Sequence, residues 1–308
     1  MTDSANIYYF SGTGNTRLVA RLLEREFGNQ SVPVCVQRIE DVVNGKVAVP
    51  DSGIQMLGIG FPVHGFGPPR LVFDFVERLP RVRGTKVFVF MTAADAFFLN
   101  NAASASVSHR LAKKGYAVFH ESLIPMPANI AIKYPDSLMK LLCTKAEAEA
   151  RRLAQEIVEG RSHRFGENAI VRLMARGLNA FEHCGVCLFG KDLTVSSECA
   201  RCDTCVQECP TRNISKARGK IRFGWKCMAC FRCVYACPRR AIMPQLERFI
   251  VLKDGYDIEK VFNGPKPLDD VRREEETGGR RKRDEQVLSE MKEYNSRIRS
   301  RSEKAGPL

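Results

Sequence analysis

Eight of the twelve cysteines of this chain fall within residues 199–237, and their spacing restricts how that segment can fold. Four of them follow the pattern C-x2-C-x2-C-x3-C with a proline after the last, and the same pattern with its proline returns 28 residues later. Residues 197–245 hold few apolar side chains. Ligand bonds to metal must therefore replace a hydrophobic core in this segment.

This spacing predicts two iron–sulfur clusters. Each run supplies three closely spaced thiolates to one cluster, and the fourth cysteine of each run binds the other cluster. We therefore predict two [4Fe–4S] clusters, each bound by a set of four cysteines that takes three from one run and one from the other. Zinc is the alternative metal, but zinc sites favour two separated C-x2-C pairs. The first set is Cys199, Cys202, Cys205 and Cys237, and the second set is Cys227, Cys230, Cys233 and Cys209.

Four cysteines lie outside the two runs. Cys184 and Cys187, in "HCGVC" beside His183, allow a zinc half-site, a redox pair or a partial cluster site. Because no second pair lies nearby in the sequence, free or packed thiols are favoured. We expect Cys35 and Cys143 to be buried thiols rather than ligands.

Residues 1–160 alternate strand-like and helix-like segments, which predicts a parallel sheet covered on both faces. The strands are expected at 6–10, 32–39, 54–61, 86–93 and 117–126. The fold class is therefore α/β, a doubly wound five-stranded sheet, followed by a small α+β domain that holds the clusters. We expect domains at 1–165 and 191–250, a partly helical connector at 166–190, and a charged, mobile tail at 251–308 with one weak helix near 287–299.

A loop rich in glycine and hydroxyl groups, "YFSGTGNT" (Tyr9–Thr16), connects the first strand to the first helix. The N–H groups at a helix N-terminus favour an anion such as phosphate. The loop lacks the lysine of a Walker A sequence, and Arg17 stands where a dinucleotide loop needs its third glycine. It resembles the phosphate loop of flavodoxins. The resemblance implies that an FMN phosphate binds to Ser11, Gly12, Thr13, Gly14, Asn15 and Thr16 through hydroxyl and backbone N–H groups.

Two later loops follow the third and fourth strands, "FPVHGFGPP" and "TAADAFFLNN". In flavodoxins these loops hold the flavin ring, so the resemblance implies that His64 or Phe66 covers one face and Phe97 the other. Neither loop has the usual Trp or Tyr, and the only tryptophan is Trp225. The alternative is that these aromatic side chains pack beneath long loops. The implied FMN residues are Pro62, Val63, His64, Gly65, Phe66, Thr92, Ala93, Ala94, Asp95, Phe97 and Asn100.

Taken together, residues 1 to about 250 resemble the flavodoxin–ferredoxin fusion proteins. The resemblance implies a low-potential electron carrier that passes electrons between FMN and two [4Fe–4S] clusters and on to a partner oxidoreductase. An alternative is a flavin-dependent reductase that acts directly on a small molecule. Its candidate catalytic groups are His64 and Asp95, with Asn100 as a further polar group over the flavin.

The net charge of +13 is spread along the chain and favours acidic partners. Four arginines near the clusters would raise the cluster potential and dock an acidic redox partner, or would simply form a solvated face. They are Arg201, Arg232, Arg239 and Arg240.

Nucleic acid is not expected as a partner, because the tail nearly balances its charges and, apart from Tyr294, lacks aromatic residues interleaved with Arg or Lys. No apolar run approaches the roughly 18 residues of a membrane span. The N-terminus has neither a basic start nor an apolar core, so we expect a cytoplasmic protein.

Overall fold

A computed structural model describes residues 4–264 apart from 52, 95, 96 and 167. The first domain contains a five-stranded sheet in the order β2-β1-β3-β4-β5, and all neighbouring strands are parallel. This is the flavodoxin-like strand order of doubly wound folds. The strands are β1 (Ala5–Tyr9), β2 (Val34–Arg38), β3 (Met56–Pro62), β4 (Lys86–Ala93) and β5 (Ala117–Pro125).

Helices cover both faces of the sheet, so its central strands are almost wholly apolar, as the sequence predicted. One buried cluster joins the sheet to α1 (Asn15–Asn29) and α5 (Asp136–Val158). A second buried cluster joins the other face to α3 (Arg70–Arg78) and α4 (Ala105–Lys113). A short α2 (Ile39–Val43) and a 3-10 helix (Phe98–Ser104) complete this domain.

The two lone cysteines of this domain differ in exposure. Cys143 is buried in α5, as predicted, and burial raises the pKa of its thiol to about 12. The prediction that Cys35 is buried is wrong. Cys35 lies on β2, which is the edge strand of the sheet, and its side chain is exposed.

The predicted connector is a single long helix, α6 (Ala169–Asp192), capped by the Asn168 side chain, which accepts from Val171 N. It packs against the 3-10 helix of the first domain and continues directly into β6 (Leu193–Val195) of the second. The segment therefore belongs structurally to both domains.

The backbone of the cysteine-rich domain repeats at the same interval of 28 residues as its cysteine runs. Two short helices, α7 (Thr204–Gln207) and α8 (Arg232–Tyr235), alternate with two strand pairs. One pair joins β6 to β9 (Ile242–Pro244), and the other joins β7 (Ile214–Ala217) to β8 (Lys220–Phe223). The left-handed residues also recur 28 apart: 201 and 229, 203 and 231, 212 and 240.

We expected a mobile tail from residue 251 onward, but the first part of that segment is packed. Residues 251–264 pack on the first domain: Ile258, in α9 (Ile258–Asn263), is buried against α1 and α5, and Tyr256 donates to Asn15. The packed segment ends the described part of the chain. The helix expected near 287–299 lies outside the described residues.

A buried ion pair ties the two domains together. Arg232 of α8 donates to the Glu40 carboxylate at 2.7 Å and to the Ser11 carbonyl at 2.5 Å. The side chains of Arg232 and Glu40 are only 12% and 4% exposed. Although burial opposes the charged form, the Glu40 carboxylate raises the pKa of Arg232. A second contact joins Arg212 to the Asn44 carbonyl at 2.7 Å.

The glycines of β3 give a test of packing in the first domain. A Cβ added at Gly60 would lie 2.1 Å from the Phe90 ring, whereas one added at Gly28 in α1 meets nothing within 4 Å. Gly60→Ala should therefore destabilise the protein by roughly 1–3 kcal/mol through overpacking. Gly28→Ala should stabilise it by up to about 1 kcal/mol. Urea unfolding midpoints would measure both, and equal effects would contradict this packing.

Replacing Arg232 tests the interface. Arg232→Met removes the charge partner of a buried carboxylate and should lower the free energy of unfolding by roughly 3–5 kcal/mol. The double variant Glu40→Gln/Arg232→Met removes both charges and should recover part of that loss. Chemical denaturation of the cofactor-loaded protein provides the measurement. A single variant as stable as the parent would exclude this pair as the main link.

Candidate functional site

The structure gathers eight cysteines around two cavities in the second domain. Their sulfurs form no disulfides. Each cavity is lined by one of the two sets of four that the crossed-ligand rule assigns, three from one run and the fourth from the other. The first cavity is lined by Cys199, Cys202, Cys205 and Cys237, and the second by Cys209, Cys227, Cys230 and Cys233.

The four thiols of each set surround a cavity and do not meet at one point. Within the described part of the chain, no three or more Cys, His, Asp or Glu side chains converge as they would on a single metal ion. A cubane cluster needs the spread arrangement, because each thiolate binds a different iron. Four thiols around one cavity are the donor set that a [4Fe–4S] cluster takes.

Burial and hydrogen bonding also suit cluster ligands. Burial raises the pKa of Cys227 to about 12 and that of Cys233 well above its usual value, so these thiols ionise only when bound to a cation. The backbone N–H of Asn213 donates to Cys209 Sγ, and that of Ala241 donates to Cys237 Sγ, both at 3.2 Å. Such bonds stabilise thiolate ligands and tune a cluster's potential.

The two cavities differ in their surroundings. The second lies against the first domain, where Met228 and Cys230 pack into the core cluster that contains α3 and α4. The first lies away from that core, with Cys202 exposed and the exposed Arg201 and Arg239 in its wall. We call the second cavity internal, because it lies at the contact with the first domain, and the first exposed, because exposed side chains line its wall.

Two of the four arginines predicted to face a partner are engaged within the chain. Arg232 lies in the domain interface described above, so for it neither a docking role nor a solvated face is correct. Arg240 donates to the carbonyls of Lys253 and Asp254 at 3.0 and 2.8 Å. Arg201 and Arg239 remain as the cations at the exposed cavity.

The glycine-rich loop lies where β1 meets α1. Gly14 precedes the helix with a φ of 110°, and no side chain caps the helix, so the N–H groups of its first turn have no helical partner. Ser11 and Thr16 are buried. The Ser11 hydroxyl accepts from Gly14 N at 3.1 Å, and Thr16 Oγ1 bonds Thr92 Oγ1 at 2.8 Å. This loop fits a phosphate group.

Other segments hold the loop in place. Asn129 donates to Thr13 Oγ1 at 2.6 Å, and Asn15 donates to the Pro127 carbonyl at 2.9 Å. Tyr256 donates to Asn15 Oδ1, and Tyr235 of α8 donates to the Asn129 carbonyl. The segment after β5 and the cysteine-rich domain therefore both support the loop.

The loop after β3 is a tight turn covered by α6. His64 and Gly67 exchange two backbone hydrogen bonds, while Gly65 and Phe66 have φ values of 50° and 62°. Such paired positive values define a type I′ turn. A Cβ at Gly67 would lie 2.3 Å from the Asn179 side chain, which also donates to the His64 carbonyl.

Burial shifts the pKa values of two titratable side chains beside this turn. It lowers the pKa of His64 to about 4, with a smaller contribution from His183, so the imidazole is neutral at pH 7. Burial raises the pKa of Glu182, which packs on Gly65, to about 7. Asn100, the other polar candidate, is buried in the 3-10 helix. Asp95 lies outside the described residues.

Phe66 and Phe97, expected on opposite faces of a flavin, contact each other with ring centroids 5.8 Å apart. Rings in contact leave no room for a third ring between them. Pro62, Val63, Ala93 and Ala94 lie nearby at the ends of β3 and β4, where Val63 N donates to the Thr92 carbonyl. The loop after β1 fits the phosphate end of an FMN, whereas this arrangement of the two phenylalanines does not admit a flavin ring between them.

The two candidate cofactor regions touch directly. A Cβ added at Gly12 would lie 2.3 Å from the Cys230 carbonyl oxygen, so the backbone around the internal cavity packs on the phosphate loop. Asn129, Asn179, Glu182 and Tyr256 contribute to these regions and were not predicted from the sequence. They are remote in sequence from both loops, and single polar residues in such segments carry no recognisable pattern.

The cysteines outside the runs lie on α6. Cys184 is exposed and Cys187 is half-buried, with its Sγ 3.6 Å from the His183 carbonyl. Gly190, one turn further on, packs against Cys227 with 2.2 Å between its would-be Cβ and that of Cys227. The helix thus reaches the internal cavity.

Comparison with known proteins agrees with this division of the chain. Residues 191–238 match the model of the 4Fe-4S dicluster domain. A search of curated proteins finds no match.

Among solved structures, a flavodoxin from the domain Archaea is 18% identical and covers 52% of this chain and 99% of its own, with a TM-score of 0.35. Oxidised flavodoxin 2 from Bacillus cereus is 18% identical over 51% of this chain and 99% of its own, with a TM-score of 0.36. Rubredoxin oxygen:oxidoreductase from the anaerobe Desulfovibrio gigas is 12% identical over 52% of this chain and 37% of its own, with a TM-score of 0.37.

The fold assignment of the first domain rests on its strand order and parallel register. That of the second rests on the family match and the repeated cysteine runs. Among residues 4–264, as far as they are described, no helix has the length and apolar character of a membrane span. In this chain a domain with the flavodoxin-like strand order therefore precedes a segment that matches the 4Fe-4S dicluster domain.

Proposed function

We propose that this protein is an electron carrier that binds FMN in its first domain and two [4Fe–4S] clusters in its second, and that it passes electrons to a partner oxidoreductase. The observation that carries the proposal is the contact between Gly12 and Cys230, because it joins the phosphate loop to the wall of the internal cavity. When bound, FMN supplies one- and two-electron exchange and each cluster supplies one-electron exchange.

The protein's own residues have separate roles in this proposal. The first-turn N–H groups of α1, with the hydroxyls of Ser11, Thr13 and Thr16, hold the phosphate. Phe66 and Phe97, which contact each other in this structure, would have to separate to cover the two faces of the flavin ring. The two sets of cysteines hold the clusters, and Asn213 and Ala241 donate N–H groups to ligand sulfurs in the two sets.

Electrostatics favours the exposed cavity as the exit to a partner. Arg201 and Arg239 lie in its wall, and the β7–β8 hairpin beside it exposes further cations, Arg218, Lys220 and Arg222. An acidic surface on a partner would be drawn to this end of the molecule, and its association would weaken with salt. We assign the internal cluster to exchange with FMN and the exposed cluster to exchange with the partner.

The alternative of direct reduction of a small molecule has less support. It depended on His64, Asp95 and Asn100 as polar groups over the flavin. His64 is partly covered by α6 and neutral, and Asn100 is buried. No observation on the described residues favours a substrate beside these groups.

Counting iron in cysteine variants tests the ligand sets. Anaerobically purified protein should contain about eight irons, eight sulfides and one FMN per chain. The pair Cys202→Ala/Cys237→Ala damages one cluster and should keep about four irons, whereas Cys202→Ala/Cys209→Ala damages both and should keep almost none. Cys35→Ala, at an exposed cysteine outside the sets, is the control and should keep all eight. Bound zinc, or the reverse pattern in the two double variants, would contradict the assignment.

Rapid kinetics tests the order of the centres. Cys237→Ala removes a ligand of the exposed cluster, so FMN should still exchange with the internal cluster while delivery to an external one-electron acceptor slows at least about tenfold. Cys209→Ala removes a ligand of the internal cluster, so exchange between FMN and the remaining cluster should slow. Anaerobic stopped-flow spectra at flavin and cluster wavelengths distinguish the two variants. Equal internal rates in both variants would refute the proposed order.

A further inference from the structure

Helix α6 carries an apolar stripe on the face that points away from both domains. Six large side chains along it are 42–79% exposed, and Phe181 is the most exposed of them. At 100° per residue they fall within an arc of about 140°. Monomeric soluble proteins seldom expose so long an apolar surface without a use for it. The six are Ile170, Leu173, Met174, Leu178, Phe181 and Leu188.

Small residues interrupt the stripe at regular positions. Gly177 and Gly185 are helical and exposed, and a Cβ added at either meets nothing within 4 Å. Within the described part of the chain, no neighbouring atom therefore requires glycine at these positions, although glycine weakens a helix. Cys184, also exposed, is the third small residue. Glycine on a helix surface allows another backbone to approach closely, which suggests that a second helix packs there.

The stripe is complementary to itself when reversed. A two-fold axis perpendicular to the helix near Asn179 would place Phe181 of one copy opposite Gly177 of the other. The same axis would place Met174 opposite Cys184, and Leu173 opposite Gly185. Large residues thus face small ones throughout the central part of the stripe.

The ends of the stripe and its periodicity agree with this pairing. Ile170 would face Leu188 of the second copy. The positions 170, 174, 177, 181, 184 and 188 have the alternating spacing of four and three residues that forms the seam of paired helices. We propose that this chain forms a homodimer through an antiparallel pair of α6 helices.

The available area is sufficient for a stable dimer. The apolar surface continues past the end of α6 through Trp225 and Leu246, which are 62% and 83% exposed. Trp225 lies under the Lys191 ammonium, and the Leu246 N–H donates to the Asp192 carboxylate. With these residues the surface amounts to roughly 600 Å² per copy, or about 1,200 Å² in total. Specific interfaces bury about this much.

The charges distinguish between two candidate partners for the stripe, a second copy of this chain and a lipid surface. Between Ile170 and Leu188 the stripe has no charged residue, so the paired helices do not bring like charges into contact. Each copy nevertheless carries a net charge of +13, so the copies repel at long range and should associate more tightly at higher salt. Binding to an anionic membrane would weaken with salt. A membrane also gives no reason for glycines within the stripe.

The experiment measures the molecular mass of the full, anaerobically loaded protein by sedimentation equilibrium. The parent should have twice the 34.6 kDa of one chain. Gly177→Phe fills the predicted recess and should raise the dimer dissociation constant at least about 100-fold. Its matched control is Gly28→Phe, at an exposed glycine of α1 that also has nothing within 4 Å, which should stay dimeric. The double variant Gly177→Phe/Phe181→Gly exchanges the large and small residues and should recover much of the association.

Three results would overturn the proposal. One is a monomeric parent chain at 100 μM or so, including one that dimerises only after residues 265–308 are deleted. Another is a Gly177→Phe variant that stays dimeric with a native circular dichroism spectrum. The third is a monomeric parent that binds vesicles of anionic phospholipid, and binds them more tightly after Gly177→Phe, since this change enlarges the apolar face.

Discussion

The close packing of Cys230 on Gly12 determines how the two domains of this protein are arranged. The absence of a side chain at Gly12 lets the backbone of a cluster-binding turn lie against the phosphate loop. A Cβ at this position would lie 2.3 Å from the Cys230 carbonyl oxygen, so any larger residue would force the two backbones apart. A glycine typical of a phosphate loop therefore also serves as a domain contact in this chain.

Polar contacts at the domain interface fix the position of Cys230 relative to Gly12. Arg232 bonds the Ser11 carbonyl in the loop and the buried Glu40, and it lies between two cysteines of the second set. A buried ion pair contributes little net stability compared with apolar packing, but its loss is costly because one charge stays unpaired. The pair therefore fixes orientation more than it strengthens adhesion. Its charge also acts at short range on both proposed cofactor regions.

The sequence predicted what depends on local spacing and missed what depends on long-range packing. The alternation of strands and helices predicted the strand content and fold class, and the 28-residue repeat predicted which cysteines lie together. Arg232 was treated as one surface charge among four, because the sequence does not show that Glu40 faces it. Tyr256 was assigned to a mobile tail, because the residues from 263 on are rich in glycine, proline and mixed charge and no motif marks the short segment before them. Both residues take their roles from contacts between segments about 190 and 240 residues apart.

Helix α6 contacts both domains and also carries the exposed apolar stripe. Asn179, on its inner side, packs on the turn after β3, and near its end Gly190 packs on Cys227. Its outer face carries the apolar stripe. A rigid helix of 24 residues transmits a displacement along its whole length, because each turn is bonded to the next. A second copy bound to the outer face would therefore restrain both the turn beside the proposed flavin and the wall of the internal cavity, although it would touch neither.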